Sequence, residues 1–336
     1  MKKILLTGSQ GFIGSYITNE FLNHGYEVIG VDNFSKYGHL SRAHDDKKNF
    51  KLYSLNVLDS HFFQIVEKEK PHFIISAAAM IGGISYFHKY AYDLLATNER
   101  INAQVFDAAI KAKINGNLER ILVLSSSMVF EEATNYPTPE NDINKIPPPA
   151  STYGFSKLAT EYFCKGAYEQ YGLPYSIIRP FNCVGVGEDK ALGEKVVTSG
   201  NVELMMSHVL PDLINKCLKG QDPLHILGEG NQVRCYTNGK DLARGIRMVL
   251  QSEKAVNNDY NISTPVATTV LELAEIIWKK INPTKPFRFK TEKPFEYDVQ
   301  KRVPDVNKAK IDLGFEAEIS LEQSVDEVIE YMRNEK

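Results

Sequence analysis

The sequence predicts an α/β protein built on a doubly wound parallel sheet. Three observations lead there. A glycine-spaced turn joins a strand to a helix within residues 4–22, apolar strand-like runs alternate with helical segments over the first half, and a fully apolar run at 120–124 ends in three serines. At 336 residues the chain exceeds the usual size of one domain, so one large or two intimately joined domains are expected.

Composition excludes several classes. A net charge of −3 gives no electrostatic case for a nucleic acid or an anionic membrane as partner. The longest mostly apolar run, Phe73 to Ile84, is too short to span a bilayer. The apolar residues after Lys2 and Lys3 give way to the glycine turn after Leu6, so no targeting segment is expected. Cys164, Cys183, Cys217 and Cys235 are scattered, with neither a C-x-x-C pair nor an H-E-x-x-H helix, which fits a reduced, cytoplasmic compartment and no metal site.

The first strand, Ile4 to Leu6, runs into Thr7-Gly8-Ser9-Gln10-Gly11-Phe12-Ile13-Gly14 and an amphipathic helix to about Leu22. Gly8 permits the sharp turn, Gly11 a close approach of backbone to phosphate, and Gly14 close packing of helix on strand. Free N–H groups around Gln10, Phe12 and Ile13, at the positive end of the helix dipole, favour a pyrophosphate. Gly25 stops the helix, and Glu27 to Asp32 reads as a second buried strand. Asp32 lies 18 residues beyond Gly14 and is followed by Asn33. At that distance a carboxylate can accept from adenosine ribose hydroxyls and repel a 2′-phosphate, which favours NAD over NADP.

A strand from Phe50 to Leu55 leads to Asn56 and Val57, placed where the adenine would lie, and a helix follows from about Ser60 to Glu69. Phe73 to Ala79 reads as the next strand, and the small Ala77, Ala78 and Ala79 let cofactor backbone lie close. Tyr92 to Ala112 has helical periodicity, with Asn98 and Asn102 on one face. Arg120 to Leu124 is a buried strand ending in Ser125, Ser126 and Ser127, and ligands meet the carboxyl ends of such strands.

After a proline-rich loop, Ser151 or Thr152 can cap a helix that carries Tyr153 and Lys157 one turn apart on the same face. An ammonium beside a phenol stabilises the phenolate and pulls its pKa down from about 10, giving a base usable at neutral pH. The same spacing recurs at Tyr236/Lys240 and Tyr297/Lys301, but neither pair lies in a segment expected to stack both residues on one helix.

The chain resembles the extended short-chain dehydrogenases/reductases of the NAD-dependent epimerase/dehydratase family, which act on nucleotide sugars. The resemblance rests on T-G-S-Q-G-F-I-G at 7–14, S-S-S-M-V-F at 125–130, Tyr153 with Lys157, and R-P-F-N at 179–182. G-E-G-N-Q-V-R at 228–234, Asp241 and R-V-P-D at 302–305 extend it over nearly the whole length. It implies a Rossmann-type domain from 1–181 and 233–264, interleaved with a nucleotide-sugar-binding domain from 182–232 and 265–336, and a homodimer through the helices around 92–112 and 153–171. It also implies NAD as cofactor, with Asn98 and Pro180 among its contacts.

By the same resemblance Ser126, with Ser127 as the close alternative, hydrogen-bonds the sugar hydroxyl. Tyr153 removes its proton, and Lys157 tunes Tyr153 and holds the nicotinamide ribose. Arg234, Arg302 and Asn182 are the expected diphosphate ligands, since a guanidinium grips phosphate in bidentate fashion. Gly82, Gly83, His208 and Val209 complete the expected substrate contacts, the last two lying in a segment read as a helix from Leu204 to Leu218. Family dehydratases carry an Asp-Glu pair after the catalytic threonine and the decarboxylases a glutamate, where this chain has Ser127 and Met128. The 3,5-epimerases and GDP-fucose synthases carry a cysteine in place of Met128, yet Ile81-Gly82-Gly83-Ile84 resembles their loop. A thioether cannot transfer a proton, so 4-epimerisation of a UDP-hexose, which needs only Ser126, Tyr153, Lys157 and NAD, is the simplest chemistry implied. Glu131, His88, Cys183 and Lys190 remain alternative proton donors for the other reactions.

Overall fold

Short runs of β-branched and aliphatic residues, too short for buried helices, place seven parallel strands side by side. They are β1 (Lys3–Thr7), β2 (Glu27–Asp32), β3 (Phe50–Ser54), β4 (Phe73–Ser76), β5 (Arg120–Leu124), β6 (Tyr175–Pro180) and β7 (Asn258–Ile262), in the order β7-β6-β5-β4-β1-β2-β3. The computed structural model describes residues 1–81, 90–191, 197–199, 202–204, 208–293 and 299–334. The order reverses beside β1, so the crevice above its carboxyl end is where this topology places a ligand.

Alternation along each strand sends side chains to two cores. From β1, Ile4 and Leu6 pack with Ile17 and Phe21 of α1 (Phe12–Asn23), whereas Leu5 packs on the opposite face with Phe62 of α2 (His61–Glu69). That second face is completed by Val105 of α3 (Ala91–Ile114) and Cys164 of α4 (Thr152–Tyr171). Layers on both faces make the inner strands β1, β4 and β5 nearly continuous in apolar residues, as expected of a buried parallel sheet, whereas the edge strands β3 and β7 carry polar residues.

A third core lies apart from the sheet. It joins α5 (Val209–Leu218), α7 (Val270–Ile281) and α9 (Leu321–Asn334) around Leu213, Trp278 and Val328; α6 (Gly239–Gln251) lies between α5 and α7 in sequence and covers the sheet beside α1, and α8 (Asn307–Leu313) packs on β7. Thr269 and Glu272 form a reciprocal capping box at the start of α7, and Ser320 and Gln323 exchange the same bonds before α9.

The sheet and the third core meet over Tyr16 of α1. Its hydroxyl accepts from the main-chain N–H of Val186 at 2.8 Å. A Cβ on Gly185 would lie 2.5 Å from that hydroxyl, and one on Gly239 would lie 2.6 Å from the ring. Both positions therefore exclude any side chain while Tyr16 stays in place.

Two boundaries differ from expectation. The fourth strand stops at Ser76, where Ala77 and Ala78 donate instead to the Thr7 hydroxyl, each at 3.1 Å. The helix expected from Leu204 starts at Val209, and Leu204 belongs to a short strand, Val202–Leu204. Pro211 accounts for the start: with no N–H to donate, it fits only the first turn. Among the described residues no helix is long and apolar enough to cross a membrane.

Candidate active site

Gly8 has φ +76°, a left-handed conformation that suits glycine, and directs the chain from β1 into α1. A Cβ on Gly14 would lie 1.9 Å from the Gly8 carbonyl oxygen, so α1 sits on the turn at a distance only glycine allows. No side chain caps α1 and its first turn carries no acid. Its N–H groups and dipole are thus left for an anion. Asp32 braces the turn from β2: one carboxylate oxygen accepts from the Gln10 N–H and the other from the Phe34 N–H, both at 2.8 Å. Two carboxylate oxygens offer about four acceptor directions, so Asp32 retains capacity for ribose hydroxyls.

These residues open on a cavity of about 1150 Å³. Gly8, Gln10, Gly11, Phe12, Ile13 and Gly14 line one end, with Asp32, Asn33, Asn56, Val57 and the Ala77–Ala79 run. Ser126, Ser127, Tyr153, Lys157 and Pro180 line it further along, as do Asn182, His208, Val209, Arg234 and Arg302 from the second half. The turn fits NAD: an open helix terminus suits its pyrophosphate and an acid at the end of β2 suits its ribose. Gly82 and Gly83, with Ile84 and His88, lie outside the described residues.

The three serines divide their work. Ser125 donates to Glu161 at 2.6 Å, and Glu161 pairs with Arg179 through two bonds of 2.8 and 2.7 Å, all deeply buried. This network ties β5, α4 and β6 together behind the site. Ser126 faces the other way, capping the short turn Ser127–Phe130 by accepting from Met128 N–H at 3.2 Å, and hydrogen-bonds Tyr153. Ser127 accepts from Arg302 at 3.2 Å.

Ser151 caps α4 through the Gly154 N–H at 3.0 Å, which fixes the first turn carrying Tyr153. Lys157 follows one turn later, its ammonium 5.9 Å from the Tyr153 ring centroid and 2.8 Å from the Leu124 carbonyl. The expected lowering of the phenol does not occur in this setting. Burial pushes Tyr153 up to about 12, against the smaller pull of the Ser126 hydrogen bond and the Arg302 charge. Burial also brings Lys157 down to about 8, with Glu99 opposing. Tertiary burial outweighs the local pairing.

Asn98 stands outside the cavity lining. Its amide exchanges bonds with the Met80 main chain at 2.7 and 3.1 Å and reaches Ser156 at 3.3 Å, so it anchors the segment after β4. Arg234 is buried, and its guanidinium donates to the Val233 carbonyl at 2.9 Å. Of the alternative proton donors, Glu131 and Cys183 line the cavity, Glu131 accepting from Ser151 N–H at 2.9 Å. Lys190 lies beside Asp189 at 3.7 Å. The competing Tyr236 precedes the helix that carries Lys240, and Tyr297 lies outside the described residues.

Glu188, Asp212 and Lys216 line the cavity and have no counterpart among the sequence expectations. Glu188 follows Gly187 in a turn held against Tyr16, and its Oε1 lies 3.2 Å from His208 Nδ1. Lys216 and Asp212 line the wall from α5. Spacing held a cue for the latter: polar residues at 208, 212 and 216 recur every fourth position through an otherwise mostly apolar segment.

Burial, then Asp189, pushes Glu188 up to about 8. Burial pulls His208 down to about 4, with Lys36 acting the same way. His208 is about a third exposed by surface, as a side chain in a cavity wall can be, and the pair is read as neutral at pH 7. Native Glu188 holds its proton to about pH 8, whereas an unfolded glutamate releases it near pH ~4.3. Between these values the unfolded glutamate binds fewer protons, so the Glu188 contribution to stability falls as pH rises; the lowered His208 opposes it below about pH 6.5, which leaves the net fall to the interval from there to about pH 8. Glu188→Gln should flatten that fall in urea-unfolding midpoints measured across the interval. An unchanged slope would remove Glu188 as its source.

An uncapped helix terminus beside a buried Tyr–Lys pair is the equipment of a dinucleotide-dependent enzyme. The profile of the NAD dependent epimerase/dehydratase family matches residues 4–263, and the chain belongs to this family and is an NAD-using enzyme of it. It is 30% identical to a putative UDP-glucose 4-epimerase of Methanocaldococcus jannaschii, over 98% of each chain. It is 26% identical to UDP-glucuronic acid decarboxylase 1 of Danio rerio, over 99% of this chain and 73% of that one. The crystal structure of UDP-glucose 4-epimerase from Thermotoga maritima, with UDP-glucose, superposes with a TM-score of 0.82 at 27% identity and covers 99% of both chains.

Proposed function

We propose that this enzyme is a nucleotide-sugar epimerase that inverts carbon 4 of a UDP-hexose through a transient 4-keto sugar. The observation that carries it is the group of Ser126, Tyr153 and Lys157 with Met128 beside it, 7% exposed and unable to move a proton. Relatives named as a UDP-glucose 4-epimerase and a UDP-glucuronic acid decarboxylase support a UDP-sugar as substrate. NAD, which the 8–14 turn and Asp32 would hold, would supply a reversible hydride acceptor for the sugar carbon. Ser126 orients the sugar hydroxyl, and Tyr153 as the phenolate takes its proton, holds it as the neutral phenol and returns it, with the Lys157 charge stabilising the phenolate present before and after. Arg234, Arg302 and Asn182 hold the diphosphate, donating to it from their guanidinium and amide N–H groups. In this reading 182–232 and 265–336 form the substrate-binding domain, and 1–181 with 233–264 the cofactor domain.

A homodimer is part of the same proposal. Tyr92 on α3 and Tyr162 on α4 are 79% and 64% exposed, with Phe155 and Tyr168 also exposed on α4. Large exposed aromatics on two adjacent helices support an interface there.

Incubating the protein with UDP-, GDP-, CDP- and dTDP-sugars in deuterated water, followed by NMR, tests the reading. The expected product is the sugar inverted at carbon 4, with no net NADH and no deuterium in the ring. Deuterium at carbon 3 or 5, loss of carbon dioxide, loss of water or accumulating NADH would each replace it with a different member chemistry.

A further inference from the structure

One helix in the cavity wall carries charge where its surroundings are apolar. Leu210, Ile214 and Cys217 of α5 enter the third core, yet Asp212 and Lys216 line the cavity at 5% and 4% exposure. The Lys216 ammonium lies 2.6 Å from the Asp212 carboxylate and 3.3 Å from the His225 carbonyl. Taking both charges out of water costs more than their attraction returns, so a well-packed apolar pair would hold α5 at least as firmly. A buried ion pair in a cavity wall is therefore a candidate for recognising a ligand. Leu213, Ile226 and Val270 line the cavity from the same core and provide an apolar surface for a flat ring.

We propose that Asp212 and Lys216 read the base of the nucleotide, and that the base is a lactam or imide: uracil, thymine or guanine. The inference rests on the nucleotide-sugar reading above. A carboxylate only accepts and an ammonium only donates. Uracil and thymine present a ring N–H between two carbonyls, and guanine presents one beside its carbonyl. The N–H donates to Asp212 and the carbonyl accepts from Lys216. Adenine and cytosine carry a lone pair at the corresponding ring nitrogen, which would face the carboxylate's own lone pairs. Leaving such groups unpaired in a dry site discriminates strongly.

The test is calorimetric titration of UDP, dTDP, GDP, CDP and ADP into NAD-saturated protein, so that ADP cannot enter the cofactor end. At least one of UDP, dTDP and GDP should bind roughly 100-fold more tightly than CDP and ADP. Asp212→Asn presents an amide that can donate to a ring nitrogen, and should narrow that ratio to about tenfold or less. The double variant Asp212→Leu/Lys216→Met replaces the pair with apolar side chains. It should remain folded by circular dichroism and lose the discrimination likewise. Uniform weakening of all five diphosphates with the ratio kept would mean that the pair is structural, and overturns the inference. Equal affinity for CDP and UDP in the unaltered protein overturns it too. If no diphosphate binds, the nucleotide-sugar reading falls with it, an outcome distinct from binding without base preference.

Discussion

Tyr153→Phe is expected to lower turnover by about 10²–10⁴-fold, the usual contribution of a positioned proton-transfer group, while NAD stays bound. The ring packs with Leu94 and Met128 in a small buried cluster, and phenylalanine keeps those contacts. What disappears is the hydroxyl that hydrogen-bonds Ser126 and lies within the field of Arg302. Because burial holds that phenol up to about 12 even against the pull of Ser126 and Arg302, those two neighbours are what favour its ionised form in the protein. The measurements are kcat at saturating substrate and the amount of NAD released on denaturing the purified variant. Turnover within a few-fold of the unaltered enzyme would remove Tyr153 from the chemistry. Loss of NAD along with activity would show instead that its role is cofactor placement.

Gly14→Ala is the second large effect. The added Cβ would lie 1.9 Å from the Gly8 carbonyl oxygen and 2.9 Å from its carbon, both main-chain atoms that cannot rotate away. That carbonyl also accepts from Gly11 N–H at 3.1 Å, so relief must open the turn itself. The expected result is a loss of roughly 3 kcal/mol or more in stability, together with failure to retain NAD. Gly166→Ala is the matched control: on an exposed helical position where a Cβ meets nothing within 4 Å, alanine should add about 0.5–1 kcal/mol. Thermal unfolding and NAD content, measured on both variants, decide it. Undiminished NAD in Gly14→Ala would contradict the close seating of α1 on the turn.

Local chemistry explains which features were legible in the sequence. β2 was bounded correctly at Glu27 and Asp32 because a short aliphatic run ended in an acid. Tyr153 and Lys157 were placed on one helix face because a capping serine precedes them. The start of α5 was misjudged because apolar residues continue upstream of Val209, although Pro211 already carried the boundary. Asn98 shared a helix face with Asn102 as expected, but its partners are the Met80 main chain and Ser156, contacts that helical spacing does not specify. Glu188 was invisible for a similar reason, since its burial depends on a turn that packs on Tyr16 from 170 residues away. The Tyr153 phenol was misjudged because a neighbouring lysine is a local fact, whereas desolvation belongs to the assembled fold.

The seat of Tyr16 has a consequence for building hybrids. One hydroxyl on the cofactor-facing helix is the peg, and the backbones at Gly185 and Gly239, from separate stretches of chain, are the two sides of its socket. A graft that transplants 182–232 onto a foreign cofactor half must bring a matching tyrosine or leave a hole the size of its ring. A segment 182–232 with alanine in place of Gly185 would jam against the tyrosine, and so would alanine in place of Gly239 in the chain that carries Tyr16. Exchange of parts between relatives should therefore succeed only when these three positions travel as a set.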